Sequence, residues 1–153
     1  MKELGRAFAL GILAIFVNVT IVGQARADES CHNIVAKGVG QDLGGGSTQA
    51  QIIGGGLLHG TTLGSFVITG VSGTVASFTG TVEFTTQHGT LTVTVAGTLD
   101  VSTGEFSASG MVTGATGKLA GATGSLSFQG VEDLTTGAFV ENVTGGICVD
   151  LAP

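Results

Sequence analysis

Apolar and polar side chains alternate one by one along much of the chain. Thr90, Thr92 and Thr94 point one way, and Leu91, Val93, Val95 and Leu99 point the other. A period of two marks a strand with one dry face and one wet face. Ala76, Phe78, Val82 and Phe84 alternate in the same way with Ser77, Thr79, Thr81 and Glu83. Gln87-His88-Gly89 supplies the turn between these two runs. Phe106, Ala108 and Val112 form a third dry face, and Leu126 and Phe128 a fourth. Amphipathic runs of helical period are missing, so the pattern predicts an all-β domain.

The alternation and the glycines between runs predict about eight strands, at 31–37, 49–55, 62–71, 74–86, 89–99, 104–113, 118–130 and 137–149. Residues 38–46 are predicted to form a loop. Two turns share the form D-x-[ST]-T-G, at Asp100–Gly104 and Asp133–Gly137, each followed by x-Phe. The aspartate can cap such a turn through its own backbone, and the glycine can take the left-handed conformation that closes a hairpin. A calcium loop would need more carboxylates than either turn holds.

Composition adds the closure. Cys31 and Cys148 are the only cysteines and lie near the two ends of the predicted domain. The first residues read as a secretory signal peptide. Lys2 and Arg6 precede an apolar run from Ala7 to Val22, and Ala25-Arg26-Ala27 fits the small-x-small cleavage rule, placing the cut before Asp28. The expected product is a single domain over 28–153, secreted or periplasmic, with no membrane span. In an exported protein such a cysteine pair is expected to form a disulfide. With an even number of up-and-down strands, Cys31 opens the first and Cys148 ends the last, so both lie at one end of the molecule. A disulfide needs Cα atoms within about 7 Å. The terminal strands are therefore expected to be neighbours, and the simplest way to achieve that is a closed eight-stranded antiparallel up-and-down barrel with its termini tied by one disulfide.

From Asp28 onward the chain carries ten Asp and Glu against Lys37 and Lys118, a net charge of −8. Such a chain should not bind nucleic acid or anionic lipid, both polyanions. His32, His59 and His88 are isolated, which offers no metal-ligand spacing. No serine sits in a nucleophile elbow, and no glycine run precedes the Lys-Ser/Thr of a phosphate loop. No cofactor is implied. Glu141 is the one misplaced charge, because it shares a strand face with Phe139, Val143 and Ile147. Two positions are open to it. One returns it to water at a bulge or barrel mouth; the other puts it inside, as a handle for a ligand or a general acid/base.

The stretch Gly114-Ala115-Thr116-Gly117-Lys118-Leu119-Ala120-Gly121-Ala122-Thr123-Gly124 stands apart. Its glycines Gly114, Gly117, Gly121 and Gly124 read as a tight corner in a sheet, where a Cβ would clash. It resembles the G-G-T-G-[KR]-F-x-G-A-x-G stretch of the allene oxide cyclase and dirigent-like β-barrel superfamily, with Ala115 in place of the second glycine and Leu119 in place of the aromatic. The resemblance covers about a dozen residues closely, and the whole domain loosely through size and strand number. It implies an eight-stranded barrel with an apolar cavity, no cofactor, and a homo-oligomer, a trimer or a dimer. No catalytic residue of the plant families matches a position here.

The expectation for function is an exported barrel that holds a small hydrophobic ligand against Phe78, Phe84, Val93, Val95, Phe106, Phe128, Phe139 and Glu141. A second expectation is a cofactor-free cyclase or isomerase using the same cavity. A third is a Thr- and Gly-rich β-solenoid or adhesin-like surface protein, suggested by the Thr90, Thr92 and Thr94 row.

Overall fold

The structure, a computed structural model, describes residues 30–151. The expected signal peptide and its expected cleavage before Asp28 lie outside the described residues. Eight antiparallel strands form a closed barrel in sequence order: β1 (Ser30–Gly44), β2 (Ser47–Gly54), β3 (Gly60–Ser72), β4 (Val75–Thr86), β5 (Gly89–Asp100), β6 (Glu105–Ala115), β7 (Thr123–Glu132) and β8 (Ala138–Val149). The barrel closes where β1 pairs with β8, and Cys31 lies directly opposite Cys148 in that register. The two form a disulfide with Cα atoms 3.9 Å apart. A disulfide suits an oxidising compartment. Among the described residues no helix is long and apolar enough to cross a membrane. The Thr90/Thr92/Thr94 row runs along one strand of this closed wall, so the solenoid reading is set aside.

Alternation decides which side of the wall each residue takes. Leu91, Val93 and Val95 are buried, as are Val82, Phe84, Leu126 and Phe128. Their neighbours in sequence, mostly Thr and Ser, face outward. A barrel that spans a membrane has the opposite arrangement, apolar outside and polar inside. The outer wall also exposes apolar side chains on several strands, among them Val131, Val140 and Val39, which are partners across β7, β8 and β1.

The two D-x-[ST]-T-G turns close as expected. Asp100 Oδ1 accepts from the Ser102 backbone N–H at 2.9 Å, and Asp133 Oδ1 from that of Thr135 at 2.8 Å. Gly104 and Gly137 have φ of 78° and 75°. The Ser102 hydroxyl donates to Asp100 Oδ1 as well, at 2.6 Å, and this bond first, with the backbone bond after it, holds the Asp100 carboxyl below the usual range, while the Thr135 and Thr136 backbone N–H groups do the same for Asp133.

Three expectations need correction. Residues 38–46 are not a loop, because β1 continues to Gly44 and only Gly45 and Gly46 form the turn. Gly38 and Gly40 face inward there, and with no side chain they leave the alternation blank. The strand expected at 118–130 starts instead at Thr123. The Gly114–Gly124 stretch is not a corner within the sheet. It is the end of β6, a 3-10 turn at Gly117–Leu119, and the start of β7. Gly117 and Gly121 take φ of 62° and 82°, and a Cβ on Gly124 would lie 2.1 Å from the Gly146 carbonyl oxygen. Gly114 has only ordinary contacts around it, 3.6 Å to Thr92.

What the stretch does is close the barrel floor. It turns the chain inward and buries Leu119 completely. A second 3-10 turn, Gly56–Leu58, brings Leu57 and Leu58 in from the other side. Ile34, Ile52, Leu91 and Ile147 pack against them. Shortening Leu119 should loosen the floor. Leu119→Val removes one methylene and is expected to cost about 1 kcal/mol, or about 4 °C in Tm. Thermal unfolding by circular dichroism checks it, and an unchanged Tm would mean that Leu119 does not pack as described.

Candidate functional site

The floor and the disulfide share one end of the barrel. The other end carries the four hairpin turns that join β1 to β2, β3 to β4, β5 to β6 and β7 to β8. Beneath those turns lies a cavity of about 180 Å³. Its wall is largely aromatic, and small inward residues make the space. A Cβ on Gly130 would lie 2.5 Å from the Phe106 ring and 2.3 Å from the Val140 carbonyl oxygen, so the end of the ring occupies the place where Gly130 has no side chain. Phe106 and Phe139 meet edge to face with centroids 5.9 Å apart, and Phe66 and Phe78 do so at 5.3 Å. Rings held this way line the wall rather than fill the centre.

Of the residues expected to hold a ligand, Phe78, Val95, Phe106, Phe128, Phe139 and Glu141 line the cavity. Phe84 and Val93 do not. Both are fully buried in the packed floor half, with Leu91 and Ile147. The dry face of a strand is continuous in sequence, but only the part near the turns borders open space.

Glu141 is inside. Its partners across the two neighbouring strands are Gly38 on β1 and Gly130 on β7. A Cβ on Gly38 would come within 2.6 Å of the Glu141 side chain, so the side chain rests where Gly38 has none. No hydrogen bond or ion pair to another described residue compensates the carboxylate. Burial alone pushes it up to about 7.

Sequence reasoning missed Asp42, Glu132, Thr62 and Phe66, which also line the cavity. Asp42 fell within the residues read as a loop. Its spacing of two from Gly40, Gly38 and Ala36 was the available signal. Asp42 Oδ1 accepts from the Gly44 N–H at 2.8 Å, and the Asp42 N–H donates to the Gly137 carbonyl at 2.8 Å, which fixes it at the mouth. Burial, then the charge of Asp42 and a hydrogen bond with it, raise the Glu132 carboxyl above its ordinary value. Among the described residues no three His, Cys, Asp or Glu side chains converge to hold a metal ion.

The arrangement can therefore take a small, mostly apolar molecule through one opening and present acid groups to it. No family model, curated protein or solved structure matches the chain.

Proposed function

We propose that this chain is an exported small β-barrel that binds a small hydrophobic molecule in the cavity at its turn end. The observation that carries the reading is the cavity itself, apolar-walled, about 180 Å³, and closed at the floor. An engineered apolar cavity of about 150 Å³ admits benzene, so this one suits a single ring with a short side chain. Pockets for small molecules are concave and mostly apolar, with a few placed polar groups. The resemblance of Gly114–Gly124 to the allene oxide cyclase and dirigent-like superfamily supports the same reading. The oligomer that it implies would join along the outer Val39, Val131 and Val140 row.

A second reading, a cofactor-free cyclase or isomerase, draws on Glu141. A carboxyl near 7 can both give and take a proton at neutral pH.

Native mass spectrometry of the protein from its own host tests the binding reading. The expected result is a co-purifying small molecule that leaves on denaturation. An empty protein whose Val82 and Val95 methyl resonances also stay fixed when saturated with 2-phenylethanol would overturn it.

A further inference from the structure

We propose that the cavity selects an apolar molecule carrying a protonated amine, with the ammonium held between Glu141 and the Thr62 hydroxyl. The proposal deepens the binding reading and rests on it.

Two independent features point to this ligand. The first is Thr62, 5% exposed and part of the cavity wall. Its hydroxyl has no hydrogen-bond partner among the described residues. Among the described residues no side-chain oxygen or nitrogen is both sealed from solvent and unpaired, so this hydroxyl opens onto the cavity, where water or a ligand supplies its partner. The second is the sign of the wall. Asp42, Glu132 and Glu141 line the cavity, and no Lys, Arg or His does. Lys37 and Lys118 are both exposed, Lys37 on the outward side of β1 and Lys118 in the turn beneath the floor. A carboxylate or phosphate ligand would bring a like charge into an apolar space without a counter-ion. An ammonium supplies donors, which both a carboxylate and a hydroxyl oxygen accept. The phenylalanine rings along the wall add to the preference, since a cation is attracted to an aromatic face.

The three acids that face the ligand lie on three strands: Asp42 on β1, Glu132 on β7 and Glu141 on β8. A bound ammonium favours the ionised forms of Glu132 and Glu141, and these ionised acids favour the ammonium. Amine affinity should therefore rise as pH rises through 7, while affinity for a neutral ligand of the same shape should not.

Three near-isosteric probes separate the possibilities: 2-phenylethylamine, 2-phenylethanol and phenylacetate. Each is titrated into the disulfide-bonded protein at pH 6 and pH 8, with the methyl resonances of Val82, Val95 and Leu99 as the readout. The expected order at pH 8 is amine, then alcohol, then carboxylate, with the amine at least about tenfold tighter than phenylacetate. Glu141→Gln and Thr62→Val should each reduce that ratio while leaving the alcohol in place. The wild-type ranking stands even if one variant fails to fold. Phenylacetate binding as tightly as the amine would overturn the proposal and leave the cavity reading intact. No shift with any probe would overturn both.

Discussion

Replacing Glu141 with Gln is expected to flatten a slope in the dependence of stability on pH. The native carboxyl lies at about 7, against 4.5 for the ordinary group. Between these values the native state holds a proton that the unfolded chain has released. Raising pH through this window therefore drains stability. The contribution is fully present below 4.5 and lost once pH has passed 7. The loss amounts to at most about 3 kcal/mol, an upper figure because one side of Glu141 meets the cavity rather than packed protein. Asp100 and Asp133 act in the opposite sense, since their lowered carboxyls stabilise the fold above 3.8 and cease to do so as pH falls further. Glu132 contributes in the same sense as Glu141, which is why the variant and the wild type must be compared at each pH. Urea midpoints from pH 4 to pH 8.5 measure the difference. The Gln variant should gain on the wild type steadily as pH rises from 4.5. Two parallel curves would show that the carboxylate is solvated, and Glu141 would lose its role in the cavity.

Removal of the disulfide should cost more. Cys31 and Cys148 are 117 residues apart in sequence. Constraining a loop of that length removes unfolded-state entropy worth about 4–5 kcal/mol in the chain-entropy account. The pair joins the first and last strands, so it also fastens the seam where the sheet closes on itself. Cys31 faces outward and is exposed, within reach of a reductant. The Cys31→Ser/Cys148→Ser double variant is expected to unfold at a urea concentration lower by the corresponding amount, and dithiothreitol should shift the wild type toward it without moving the variant. A loss below about 1 kcal/mol would mean that β1 and β8 stay paired in the unfolded ensemble without the crosslink. The disulfide is at the floor end and the cavity at the other. A folded but reduced barrel should therefore still take up 2-phenylethanol.

The closed barrel was legible because strand period and cysteine placement agreed. Leu91, Val93 and Val95 showed the dry face, and the positions of Cys31 and Cys148 required the end strands to meet. The site was legible only where a side chain marked it. Phe106, Phe139 and Glu141 stood out on their strands. The second half of β1 did not, because Ala36, Gly38 and Gly40 present almost nothing to a hydropathy pattern. Those empty positions are where Phe139 and Glu141 rest, and Asp42 was hidden with them. Phe84 and Val93 were misplaced for a different reason. Alternation tells inside from outside but carries no height along the barrel axis, and only the 3-10 turns of Gly56–Leu58 and Gly117–Leu119 determine which end is filled.

That filled end has a kinetic consequence. Leu58 and Leu119 are fully buried beneath the cavity, so the barrel is a vessel with one door rather than a channel. An occupant must leave by the way it came. A competitor waiting outside cannot enter behind it and push it through. Its departure should follow a single first-order rate that does not depend on how much competitor is present, set by how often the rim near Asp42 and Glu132 yields.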